Sequence, residues 1–195
     1  MAEWLDRIEQ YLWPQGFTRD TWMLVDAARD KRIYGMLLEC FYSRHHCLFS
    51  GSLAPEIQVV APYLVHLEYD DPRTKRFIRY AWGNSWGVFL KCDNQLQTVR
   101  HHLRTLLTVR DERGKHLMFR YYDPRVLRSY LPTCTADELQ TVFGPITRFL
   151  VEEKTADTLL DFSLDRRRLI TTRQPLTCSG LPCYDPQNSD TEPEA

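Results

Sequence analysis

The chain lacks the features that would place it at once in a membrane, among secreted disulfide scaffolds or in a common enzyme class. No stretch approaches 18 consecutive apolar residues, which excludes a membrane-spanning helix. The N-terminal MAEWLDRIEQYLW has acidic residues and helical periodicity rather than a basic region followed by an apolar run, so no secretory leader is expected. The six cysteines, Cys40, Cys47, Cys92, Cys134, Cys178 and Cys183, include no CxxC pair, and reduced thiols in a cytoplasm are the expectation. There is no P-loop, dinucleotide fingerprint or nucleophile elbow. Net charge is −1, so no general attraction to nucleic acid or anionic lipid is expected. Lysine is scarce, 5 residues against 20 arginines. Guanidinium groups with 12% aromatics suit a protein-binding surface. The base composition of the genome explains the arginine excess equally well.

The chain is long enough for one domain, or one domain with a small subdomain, and 43% hydrophobic residues supply a core. Residues 1–13 place Trp4, Leu5, Ile8, Tyr11 and Leu12 on one side of a helix, broken by Pro14 and Gly16. Trp22–Val25 is a short buried strand. Asp30 caps a helix over about 31–43 with Ile33, Leu37, Cys40 and Phe41 inward. Cys47–Phe49 and Val59–Leu67 are strand candidates, the latter confined by Pro62 to an edge or bulge. Asp71-Pro72 opens a helix to about Trp82, closed by Gly83. Trp86–Leu90 is a central strand. Residues 95–108 form the clearest helix, with Leu96, Val99, Leu103, Leu106 and Leu107 as its stripe. Asp111–Lys115 is a turn before a strand over 117–122.

Phe119–Cys134, FRYYDPRVLRSYLPTC, is the most strongly specified stretch. Asp123 caps a helix and Pro124 takes its first position, where a missing N–H costs nothing. Pro132 ends it, and Thr135 with Glu138 has capping-box spacing for a helix over about 136–143. Strands at 146–151, 158–163 and 169–172 follow. The fold class expected is mixed α/β, a mixed sheet flanked by helices with a smaller C-terminal helix-and-hairpin subdomain. The boundaries expected are 1–131, 132–173 and a disordered tail over 174–195, rich in Pro, Ser, Thr and acids.

Candidate chemistry is sparse. Cys40, His45, His46 and Cys47 are metal-capable but badly spaced for zinc, and Cys40 belongs to a helix interior, with the histidines on a loop. Cys134, at a helix start, could be drawn with His66, His101, His102 or His116 as a nucleophile–base pair, but a buried residue in a tight link is the plainer reading. Asp30, Asp71 and Asp123 are explained as caps. Asp26 is expected to bond backbone near Arg29. Arg125 and Arg128 share a helix face, a solvated surface unless a carboxylate-bearing partner docks there. Trp82, Trp86, Tyr121 and Tyr122 are core residues by default and interface anchors if exposed.

Several segments together resemble one bacterial family: LVDAARDKRIYGML (24–37), LFSG (48–51), PEIQVVAPYLVHL (55–67), WGNSWGVFL (82–90), VRHHLRTLLTV (99–109), and FRYYDPRVLRSYLPTC with FGP (119–134, 143–145). The resemblance is to the effector adaptors, or effector chaperones, of type VI secretion systems (Tap/TEC type), over roughly residues 20–150. It implies a non-enzymatic protein of the Gram-negative cytoplasm that needs no cofactor or metal. Such a protein binds one cognate toxic effector, through the effector's N-terminal region, and loads it onto the VgrG spike. The motif residues carried over are Asp26, Arg29, Pro62, Tyr63, Trp82, Gly83, Trp86, Gly87, Asp123, Pro124 and Arg125, with Tyr121, Tyr122 and Arg128 as further partner-binding candidates. Residues from about 146 match nothing in that family. Two other readings stay open: a small cytosolic hydrolase using Cys134 or an Asp/His pair, and a structural subunit that binds the spike without an effector.

Overall fold

The computed structural model describes residues 3–14 and 21–176, so the expected break at Gly16 and residues 177–195 lie outside the described residues. The fold is mixed α/β. Seven strands form one sheet in the order β2-β3-β1-β4-β7-β8-β9, and every pairing in it is antiparallel. These are β1 (Thr21–Asp26), β2 (His45–Cys47), β3 (Pro62–His66), β4 (Gly87–Lys91), β7 (Arg148–Glu152), β8 (Thr158–Asp165) and β9 (Arg168–Pro175). A separate two-stranded ribbon pairs β5 (Thr108–Arg110) with β6 (His116–Met118).

Strand periodicity explains why the sheet is covered on both faces. Met23, Val25, Tyr63, Val65, Phe89, Leu150 and Leu159 point to one core. There they meet α1 (Glu3–Leu12), α2 (Arg32–Phe41) and α4 (Pro72–Ala81). Trp22, Leu24, Leu64, Val88, Leu90, Phe149, Val151, Leu160 and Phe162 point to the other. That core is closed by α5 (Leu96–Thr105), α6 (Pro124–Tyr130) and α7 (Ala136–Phe143). A short α3 (Pro55–Gln58) precedes β3.

The helix starts follow their caps. Asp71 and Asp123 accept the backbone N–H of Arg73 and Arg125 at 3.0 and 2.9 Å, each with proline at the first helical position. Thr135 and Glu138 form the full capping box. Asp30 instead sits just before the cap Lys31 and accepts from Arg32 N at 2.9 Å.

Several boundaries differ from the sequence reading. The edge strand is His45–Cys47, so the two histidines lie on a strand rather than a loop, and the chain bends at Leu48–Phe49 after Leu48 N bonds Pro62 O at 3.0 Å. Val59 and Val60 are exposed after α3, and β3 begins at Pro62, where the missing N–H costs no ladder bond. The strand expected over 117–122 stops at Met118. Tyr121 and Tyr122 are buried as a turn, because Asp123 N bonds to Arg120 O at 3.0 Å and commits the chain to the cap. Gln174 and Pro175 belong to β9 rather than to a tail, and buried Leu176 donates its N–H to Asp157 O at 2.8 Å.

Gly87 is fixed by packing. A Cβ there would lie 1.9 Å from Leu24 O, a backbone atom of the paired strand that cannot rotate away. Gly87→Ala is therefore expected to destabilise the protein by at least about 3 kcal/mol, seen as a lowered denaturation midpoint or loss of soluble protein. A variant as stable as wild type would show that β1 and β4 are not held this close.

Candidate functional site: an arginine rim at one end of the sheet

Antiparallel registers bring the C-terminal ends of β1 and β7 beside the N-terminal end of β4. The loop between α4 and β4 crosses this end, and the residue signature of the 119–134 stretch closes it. Three buried carboxylates lie here: Asp26, Asp123 and Glu152.

Glu152, the last residue of β7, is a backbone clamp. One carboxylate oxygen accepts from Gly83 N at 2.6 Å, and the other from Ser85 N and Ser85 Oγ at 2.9 and 2.8 Å. Ser85 has φ 55, a left-handed conformation that a non-glycine residue holds only when its surroundings fix it. Burial pushes the Glu152 carboxyl up, while the Ser85 and Gly83 donors and the charge of Arg128 pull the other way. Arg128 Nη1 donates to Glu152 O at 3.1 Å.

Asp26 does not bond backbone near Arg29. Its carboxylate pairs with the Arg120 guanidinium, because the 120–122 turn lays that side chain over the end of β1. The other oxygen, Oδ1, is buried with no hydrogen-bond partner among the described residues. Arg29 reaches sideways, Nε to Asn84 O at 3.3 Å. Tyr122, buried nearby, is pushed up to about 12 by burial and the Asp26 charge, with Arg120 opposing.

Asp123 both caps α6 and chelates Arg125, Nε to Oδ1 at 3.0 Å and Nη2 to Oδ2 at 2.6 Å. Burial alone would raise the Asp123 carboxyl. The Arg125 hydrogen bonds, its backbone N–H and the neighbouring charges outweigh that and hold it below the usual range. The Asp30–Arg32 pair has the same geometry at the start of α2, with Arg32 lying 5.7 Å from the Trp86 ring centroid. The carboxylates are inside and the guanidinium groups outside: the side chain of Asp123 is 3% exposed, that of Arg125 45%.

The structure thus gathers Asp26, Arg29, Asp123, Arg125 and Arg128 around one loop. The aromatic candidates support it from within. Trp82 Nε1 donates to Ala156 O at 2.7 Å, and Trp86 packs edge-on against Phe77. Tyr121 is fully buried with its hydroxyl on Leu103 O at 2.6 Å. Tyr63 lies apart, its hydroxyl on Gln58 O at 2.8 Å. Arg120, Glu152 and Ser85 were not singled out in the sequence; only the alternation of β7 hinted that Glu152, following inward Val151, would point to the opposite face.

A family model described as a domain of unknown function, DUF4123, matches residues 21–141. The chain belongs to the DUF4123 family. This family is associated with type VI secretion effector adaptors. The matched span starts with β1 and ends within α7. It includes every motif arginine of the rim, while Glu152 lies beyond it. No curated protein and no solved structure matches the chain. Among the described residues no helix is long and apolar enough to cross a membrane.

Two substitutions test the rim. Glu152→Ala removes the acceptor of the Gly83 N–H and of the buried Ser85 N–H and hydroxyl, and is expected to cost about 2 kcal/mol by chemical denaturation. Asp123→Asn keeps a cap but weakens the ion pair. With the folded pKa of Asp123 below its usual 3.8, its stabilisation is present above that value and lost as pH falls through the folded one. The variant should be about 1 kcal/mol less stable at pH 7, given the half-exposed guanidinium. That gap should close on acidification below 3.8, and a gap independent of pH would show that the Asp123 charge contributes nothing.

Proposed function

We propose that this DUF4123 protein is a non-enzymatic adaptor of a type VI secretion system. It binds a cognate toxic effector in the cytoplasm, through the effector's N-terminal region, and loads it onto the VgrG spike. The observation that carries this reading is the family match over 21–141, which spans the sheet's central strands and the whole arginine rim. The chemistry of the side chains agrees with it. Each buried carboxylate of the rim is committed to a structural partner: Glu152 to loop N–H groups, Asp123 to a cap and Arg125, Asp26 to Arg120. Cys134 speaks against the hydrolase reading. Burial pushes its thiol up, and the thiol donates to Tyr130 O at 3.4 Å, so the nucleophilic thiolate is disfavoured.

Partner loading is a binding problem, and the rim supplies rigid, preorganised guanidinium groups for it. Arg125 uses Nε and Nη2 on Asp123, so Nη1 can meet a carboxylate or carbonyl of a docked protein without losing the internal pair. Co-expression of the full chain with the effector encoded beside its gene is expected to give a complex that survives size-exclusion chromatography. VgrG should join when added. Recovery of VgrG alone would favour a structural spike subunit, and absence of any complex would overturn the adaptor reading.

A further inference from the structure

We propose that the groove between residues 48–50 and the β5–β6 ribbon docks an extended segment of the effector that carries an apolar and an acidic side chain two positions apart. This rests on the adaptor reading and names the surface and the chemistry of the cargo segment. The groove has a volume of 450 Å³. Leu48, Phe49, Leu107 and Met118 supply its apolar wall, and Arg104 with His101 its cationic one.

The ribbon beside it is an unfinished element. Thr108 pairs with Met118, Val109 with Leu117 and Arg110 with His116, and among the described residues neither strand pairs with anything else. Strand alternation puts Thr108, Arg110, His116 and Met118 on the groove side and leaves Val109 and Leu117 on the other. Met118 is 57% exposed, and Val109 and Leu117 are 40% exposed. A two-stranded ribbon is marginal in water by itself. This one presents apolar side chains on both faces and open hydrogen-bonding edges, the arrangement that receives an added strand.

Charge selects the occupant. At the rim, Arg120 and Arg125 are each neutralised by a buried aspartate. In the groove wall Arg104 has no carboxylate partner among the described residues, nor has Arg110 on the ribbon beside it, and Arg100 on the same helix as Arg104 donates to Cys47 O at 3.1 and 2.7 Å. A half-buried, uncompensated guanidinium against an apolar wall favours a carboxylate brought by the partner. An extended chain places successive side chains on opposite faces, so residues two apart can seat one apolar group against Leu107 and Met118 and one acid at Arg104.

The test uses the full chain and the effector encoded beside its gene. Arg104→Glu and Met118→Asp alter exposed or half-exposed side chains, and each is expected to weaken the complex at least about tenfold with an unchanged melting temperature. A photo-crosslinking residue at position 118 should label an apolar–acidic segment of the effector. Wild-type binding with both variants within about twofold overturns this inference while leaving the adaptor reading intact. Crosslinks confined to residues 177–195 of the same chain, or to a second copy, overturn it as well. A wild-type chain that forms no complex overturns both.

Discussion

The Glu152 carboxylate is the interaction on which the arginine-rimmed end of this fold depends. A loop that must carry Trp82 into one core, present the Asn84 carbonyl to Arg29 and deliver Trp86 to the start of β4 has no regular ladder to satisfy its N–H groups. Those of Gly83 and Ser85 need an acceptor, and leaving the buried Ser85 N–H unpaired would cost roughly 1–3 kcal/mol. A single acid on the neighbouring strand satisfies both and the Ser85 hydroxyl besides. Burial makes the charged form costly, as the raised pKa records, so the loop donors and Arg128 offset that cost only because their geometry is close and convergent. The loop, the end of β7 and the first turns of α6 are thereby tied into one unit.

That unit separates two kinds of positive surface. At the rim Arg120 and Arg125 each sit over a buried aspartate, while Arg29 and Arg128 are anchored on the Asn84 and Glu152 carbonyls, so what remains outward is a set of oriented donors. Such a surface fixes geometry more than it attracts. In the 48–50 groove Arg104 has no carboxylate partner among the described residues, and the field of such a charge extends into solvent over about a Debye length, roughly 8–10 Å.

Much of the scaffold was legible in the sequence because local rules and tertiary packing agreed. The Asp-Pro caps at 71–72 and 123–124, the capping box at Thr135 and the apolar stripes of α1, α2 and α5 all formed where the spacing placed them. Where the two disagreed, a non-local partner won. Phe119–Tyr122 has the composition of a strand, but the Asp123 cap and the buried tyrosines turn it. Asp26 looked like a local backbone acceptor and instead meets Arg120, 94 residues away. Glu152 and Ser85 carried no signal because their role exists only once β7 lies beside β4.

The repeated Asp-x-Arg device shows how one short pattern both caps a helix and fixes a guanidinium. At Asp30–Arg32 and Asp123–Arg125 the same carboxylate accepts the helix's early N–H and two guanidinium donors. Removing the acid would free a helix end and release the arginine into its many rotamers, an entropic cost of about 2 kcal/mol to recover on binding. Keeping it holds the guanidinium in place before any partner arrives. At the rim Asp26 and Asp123 are spent on locking arginines, and Glu152 on the loop. The buried aspartates of the rim therefore act outward only through the arginines they position.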